Sequence, residues 1–191
     1  LAERLAATGA TPLVLREPGG TPAGERIREV LLDPALPELR PETELLLMVA
    51  SRAQLVHQTV APALAAGEIV ICDRYADASV AYQGGGRRLG SDFVDSANEL
   101  ALRGLEPDLT FLCLLPPAEG RARLKGRARA ADRLEREEIA FHDRVYDAYR
   151  ELAASARRRF HVIDATGSPG EMLADACRAL ERLEHPGLRS L

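Results

Sequence analysis

The chain has 191 residues, 46% apolar and 28% charged, with a net charge of −4. That suits one domain with a substantial core. No apolar run approaches the roughly 18 residues of a membrane span, and the acidic balance speaks against a generally basic nucleic-acid surface. Three cysteines, Cys72, Cys113 and Cys177, lie far apart in apolar settings. They make neither a metal spacing nor a disulfide framework, which points to a reducing cytoplasm.

Residues 1–8 read as the end of a helix, stopped by Gly9 at a C-cap position. Residues 11–15 read as a short buried strand and 23–32 as a helix, before the breaker Asp33-Pro34. Pro41, Glu42 and Glu44 open a long helix to about residue 66, bent near Pro62 and ended by Gly67. Residues 68–72 are short and β-branched, a strand. Helices are predicted over 75–83 and 91–103, separated by the loop GGGRRLG, then a strand over 109–114. A helix over 117–126 runs into an Arg-rich segment; a helix over 135–157, a strand over 160–163 and a helix over 169–184 complete the pattern. The tail 185–191 is expected to fray.

Strands alternating with helices predict an α/β fold, a parallel sheet flanked by helices with right-handed crossovers. No repeat or linker divides residues 1–191, so a single domain is expected. In such sheets ligands sit at the carboxyl ends of the strands, which directs attention to the residues just after each strand.

After the first strand comes Arg16-Glu17-Pro18-Gly19-Gly20-Thr21, a sharp turn that would let backbone approach a ligand closely. Alone, it reads as an ordinary turn before a helix capped by Thr21. After the second comes Asp73-Arg74-Tyr75. Charged groups are expensive at the end of a buried strand unless used or paired, and strand end, charge type and fold together favour phosphate and magnesium-water chemistry. Met48 and Arg52 lie four apart and share a helix face, as do Ser79, Tyr82 and Gln83. Spacing alone leaves a core methionine, a solvated arginine and a polar outer face as open alternatives. Arg121, Arg123, Lys125, Arg127, Arg129 and Arg133 cluster within 121–134, either a basic lid over phosphates or a solvated loop. The histidines show no ligand spacing, and no serine sits in a nucleophile elbow.

Together REPGGT (16–21), LLLMVASRAQLV (45–56), ICDRYADASVAYQGGGR (71–87), PDLTFLCL (107–114), DRLE (132–135) and VIDAT (162–166) resemble the bacterial thymidylate kinases, in order and across nearly the whole chain. The resemblance implies a P-loop nucleoside monophosphate kinase fold and transfer of the γ-phosphoryl of ATP to dTMP, giving dTDP and ADP. It implies Mg2+, a cytoplasmic homodimer, and no nucleic-acid or membrane partner. Carried over, Arg74 would grip the acceptor phosphate and Asp73 would support magnesium through water. Arg52 would hydrogen-bond a thymine carbonyl, Ser79 and Gln83 would line the base site, and Tyr82 would crowd the 2′ position. Glu17 and Pro18 would shape the same pocket. Arg127, Arg129 and Arg133 would be phosphate-binding lid arginines, and Asp164, Ala165 and Thr166 would lie near adenine.

Two departures stand out. Met48 occupies the position where the family usually stacks thymine on phenylalanine. No G-x-x-x-x-G-K-[ST] occurs, although the family places a strand and that loop directly before the helix ending at 1–8. With Leu1 in place of a start methionine, the expectation is a longer natural protein whose extra strand would lie between those at 69–72 and 109–114. Residues 1–191 alone are then expected not to turn over ATP normally. A nucleotide-binding remnant, or a kinase for another nucleoside monophosphate, remains open at this level.

Overall fold

The computed structural model describes residues 1–125 and 130–183. Arg127 and Arg129, and the tail expected to fray, lie outside the described residues. In chain order the elements are α1 (Ala2–Ala7), β1 (Leu13–Arg16), α2 (Pro22–Leu32), α3 (Pro41–Leu55), α4 (Ala61–Ala65), β2 (Val70–Asp73), α5 (Ala76–Ser79), α6 (Ser91–Leu102), β3 (Thr110–Leu114), α7 (Pro117–Lys125), α8 (Ile139–Ser155), β4 (Phe160–Asp164) and α9 (Pro169–Leu180). The α/β alternation is as expected.

The described strands pair in two parallel ladders. β1 pairs with β2 in parallel, Leu13 opposite Val70 through Arg16 opposite Asp73. β3 pairs with β4 in parallel, Thr110 opposite Phe160 through Leu114 opposite Asp164. Among the described residues no hydrogen-bonded neighbour joins β2 to β3. Apolar packing bridges them: Ile69 and Ile71 beside one ladder and Leu109 and Phe111 beside the other meet the buried Leu5 of α1 and Leu180 of α9. β1, expected to be buried, alternates between half-buried and exposed along its two faces and leaves Val14 at 57% exposure.

The long helix predicted from Pro41 is continuous but widens. A π-helical segment, Val56–Val60, joins α3 to α4 directly before Pro62. A proline ring in a regular helix clashes with the carbonyl four residues earlier and supplies no N–H; the wider turn relieves both problems. The Gly-rich stretch also departs from expectation. α5 continues as a second π-helical segment, Val80–Gly86, so GGG is helix rather than loop. Its glycines serve packing against α8. A Cβ on Gly85 would stand 2.6 Å from that of Ala148, and one on Gly86 would stand 2.6 Å from the Phe141 ring. That contact fixes the helix carrying Tyr82 and Gln83 against α8, where Ala81, Phe141 and Val145 form a buried cluster.

Helix ends follow local chemistry. Thr21 caps α2, its Oγ1 accepting from Gly24 N at 3.0 Å. Ser168 and Glu171 form a reciprocal capping box on α9. α8 begins at Ile139, later than predicted, because residues 133–136 form a turn in which Glu135 N and Asp132 Oδ1 are hydrogen-bonded at 2.9 Å.

Candidate functional site

The carboxyl ends of β1 and β2 lie side by side, so Glu17 and Arg74 emerge at one edge of the molecule. A cavity of about 130 Å³ opens there. Glu17 and Pro18 line it after β1, Arg28 and Leu32 from α2, and Met48 and Arg52 from α3. Arg74, Ser79, Tyr82 and Gln83 line it from the segment after β2; Asp132, Leu134, Glu135 and His142 close it from the chain leading into α8. The structure thus gathers Glu17, Pro18, Met48, Arg52, Arg74, Ser79, Tyr82 and Gln83, all singled out from sequence, around one space.

Arg52 is 1% exposed and fully engaged. Its Nε and Nη2 meet Glu17 Oε2 at 2.9 and 2.7 Å. Its Nη1 donates to Ser79 Oγ (3.1 Å) and Asn98 Oδ1 (2.6 Å), and its Nη2 to the Tyr75 carbonyl (3.1 Å). No nitrogen of the guanidinium is left over. A direct bond to a thymine carbonyl would require it to release one of these partners; as it stands, Arg52 ties β1, α3, α5 and α6 together beneath the cavity. Glu17 reads the opposite balance: burial pushes its carboxyl above the ordinary value, and the charge and hydrogen bonds of Arg52 only partly offset that. Its Oε1 is buried without a hydrogen-bond partner.

Arg74 and Arg28 bring positive charge to the cavity, and Asp132 and Glu135 of the same lining bring negative charge. Arg74 has a left-handed backbone, φ 68°, which turns its side chain across the ring of Tyr82, 4.7 Å from the centroid, with Nη2 donating to the Tyr82 hydroxyl at 3.2 Å. The Tyr82 ring is held edge-on by Phe141 and Tyr149. Arg28 donates to the Pro18 carbonyl at 3.0 Å. Burial first, then the like charges of Arg16 and Arg74, hold Arg28 below the ordinary arginine value despite Glu25 and Asp132 nearby. Mutual repulsion of this kind marks a place that would favour an anion. His142 is held below the ordinary imidazole value, by burial and then the charge of Arg121, and is neutral at pH 7.

A second buried network lies behind Gln83. Glu44, 0% exposed, accepts from Gln83 Nε2 (2.8 Å), Arg87 Nε and Nη2 (3.2 and 3.0 Å) and Arg133 Nη2 (2.6 Å). Burial alone would raise its pKa, but the hydrogen bonds and charges of these partners outweigh it, and the carboxyl lies below its ordinary value. Arg133, expected as a phosphate-binding arginine, is 6% exposed and spends its Nε on the Leu31 carbonyl at 2.9 Å. It anchors the end of the basic segment rather than facing the cavity. Arg121 and Arg123 reach the carbonyls of Glu137 (3.3 Å) and Ala165 (2.8 Å).

The glycine turn also differs from its expected use. Gly19 N donates to Ser51 Oγ at 3.1 Å and Gly20 N to Glu25 Oε1 at 2.8 Å, so these donors are already taken by the protein. A Cβ on Gly20 would meet Leu55 at 2.7 Å, so close approach to α3 demands glycine there. Asp164, Ala165 and Thr166 sit at the end of β4, remote from the cavity lining, with Asp164 Oδ1 accepting from Thr166 N and Oγ1 at 2.9 and 2.7 Å. Asp73 is exposed at the end of β2. Among the described residues no group of three His, Cys, Asp or Glu could hold a metal ion.

Sequence reasoning missed Arg28, Glu44, Ser51 and Asn98. Asn98 had a signal: a polar residue on the face of α6 whose other buried positions are Val94 and Ala101.

A thymidylate kinase family model matches residues 1–176. The chain belongs to the thymidylate kinase family. Similar relatives named thymidylate kinase include one from Deinococcus radiodurans, 46% identical over 185 residues, covering 97% of this chain and 89% of that protein. One from Exiguobacterium is 46% identical over 191 residues, covering 99% and 89%. One from Lacticaseibacillus casei is 49% identical over 164 residues, covering 85% and 76%. Thymidylate kinases are nucleoside monophosphate kinases of the P-loop class, and the two parallel ladders flanked by helices agree with that fold.

Proposed function

We propose that this chain supplies the acceptor site for phosphoryl transfer from ATP to dTMP, giving dTDP and ADP. The observation that carries the reading is one cavity lined both by Arg28 and Arg74 and by the buried polar groups Glu17, Arg52, Ser79 and Gln83. The dTMP phosphate lies at Arg74 and Arg28, where two guanidiniums offset its charge. The base lies deeper, against Met48, with Gln83, Ser79 and Glu17 beside it; Met48 offers an adaptable thioether contact to the ring. Tyr82, whose hydroxyl holds Arg74, crowds the sugar.

Phosphoryl transfer asks for alignment and charge neutralisation more than covalent chemistry. Arg74, pinned on Tyr82, fixes the acceptor phosphate. Leu134 and His142 exclude water from the base end, and Arg133 holds the chain leading into α8 to Leu31 and Glu44. Arg127 and Arg129, which lie outside the described residues, are assigned to the transferring phosphates by the family resemblance alone. Magnesium, when bound, neutralises charge between donor and acceptor phosphates; one exposed carboxylate, Asp73, suits a water-mediated contact but not a protein-only cage. ATP places its adenine near Asp164, Ala165 and Thr166.

The protein acts in the cytoplasm, in keeping with its free thiols Cys72, Cys113 and Cys177. It acts as a homodimer. Leu45 and Leu55 of α3 belong to the core, so the partner surface is sought at Leu46 of α3 and Phe93 and Leu100 of α6, exposed by 64%, 55% and 83%. Light scattering tests this, and a clean monomer would refute it. For the substrate, calorimetric titration with dTMP, dUMP, UMP, CMP and AMP is decisive: dTMP should bind tightest, and a preference for AMP or CMP would overturn the assignment.

A further inference from the structure

We propose that Glu44 is a positioning residue that sets which end of the Gln83 amide faces the base, and thereby selects a pyrimidine carrying an imide N–H over one with a cytosine edge. The inference rests on the reading of the cavity as a dTMP site and deepens it.

Gln83 lines the cavity and is 0% exposed. A primary amide has a donor end and an acceptor end, and a carboxylate can only accept. Glu44 Oε1 takes the Gln83 Nε2 donor at 2.8 Å, so the amide has one allowed orientation. Glu44 cannot turn away, because Arg87 and Arg133 hold both of its oxygens at 2.6 to 3.2 Å. The same two arginines keep it ionised, so it does not become a donor itself. Gln83 Oε1 is left buried with no hydrogen-bond partner.

A buried open acceptor is unfavourable until a ligand donor reaches it. The thymine ring nitrogen N3 carries a hydrogen and can satisfy it. The corresponding cytosine nitrogen is itself an acceptor and would be opposed. Glu17 Oε1 is a second open acceptor bordering the cavity, and substitution at Gln83 separates the two.

The test is calorimetric binding of dTMP and 5-methyl-dCMP, which share the methyl group and differ at the ring edge. The wild-type chain should favour dTMP by at least about 100-fold, and Glu44→Gln should lower that ratio by at least about tenfold, the scale of one buried hydrogen bond. The substituted amide can donate to Gln83, which then turns its own NH2 towards the base. Gln83→Leu should lower the ratio similarly, and Glu44→Gln in the Gln83→Leu background should lower it no further. A purely structural Glu44 would weaken both nucleotides alike. The proposal is overturned if Glu44→Gln keeps the wild-type ratio, or lowers it equally with Leu at 83. If Glu44→Gln does not fold, Gln83→Leu alone decides, and an unchanged ratio there overturns the proposal. Wild-type chain that binds no dTMP refutes the site itself; binding with an unmoved ratio refutes only the role of Glu44.

Discussion

Glu17 and Glu44 are 4% and 0% exposed, and each pairs with arginine beside the same cavity, yet their carboxyls are displaced in opposite directions. Glu17 has one arginine and an orphaned oxygen, and desolvation wins. Glu44 has two arginines and an amide spread over both oxygens, and the partners win. A buried charge is therefore tolerated according to how completely its lone pairs are used, rather than by the presence of a counter-ion alone. The division also tracks location. The saturated carboxylate sits where rigidity is needed, joining the start of α3 to Arg133 and Arg87; the unsaturated one faces the space a ligand would fill.

The largest test of this contrast is Glu44→Ala. It leaves Arg133 buried without its anion and Arg87 with Glu137 alone, and should cost about 3 kcal/mol of unfolding free energy by urea denaturation. Glu17→Gln should cost less at pH 7, under about 2 kcal/mol, because Arg52 keeps Ser79, Asn98 and the Tyr75 carbonyl. The pH dependences should diverge. Glu44 has a lowered folded-state value, so its stabilisation is complete above its ordinary value of 4.5 and is lost as pH falls through the lowered one. Glu17 has a raised value, so its contribution is complete below 4.5 and is lost as pH rises through the raised one. Melting curves for wild type, Glu17→Gln and Glu44→Gln from pH 3 to 8 should show the two gaps changing in opposite senses, and parallel behaviour would break the comparison. The smallest effect is at Met48. Met48→Phe should tighten dTMP binding by a few-fold, since an aromatic platform adds about 0.5–1.5 kcal/mol of stacking.

Much of the fold and the site is readable from residue order, and the misses have physical causes. β-branched runs mark β2 and its neighbours, and Thr21 marks the start of α2. Glu17, Pro18 and Arg74 emerge from the rule that strand ends carry ligands, whereas spacing leaves Met48, Arg52, Ser79, Tyr82 and Gln83 open and only the family resemblance assigns them to the site. What periodicity could not give was pairing and register, which depend on neighbours distant in sequence; β1 pairs with β2 and β3 with β4, both in parallel as expected. GGG reads as a loop because glycine disfavours helix, but contact with Ala148 and Phe141 overrides propensity. Glu44, in the first turn of α3, reads as a carboxylate complementing the helix dipole, and nothing local reveals that Arg133, 89 residues away, folds onto it. Arg28 could not be told from Arg26 without knowing which face of α2 meets the Pro18 turn.

The most direct measurement compares dTMP and thymidine binding to wild type and Arg74→Ala by calorimetry. The phosphate should confer a preference of roughly 10- to 100-fold on wild type, as expected for charge-assisted hydrogen bonds, and Arg74→Ala should remove most of it while leaving thymidine affinity nearly unchanged. Equal binding of the two ligands by wild type, or a preference that survives loss of Arg74, would contradict an acceptor site at the ends of β1 and β2.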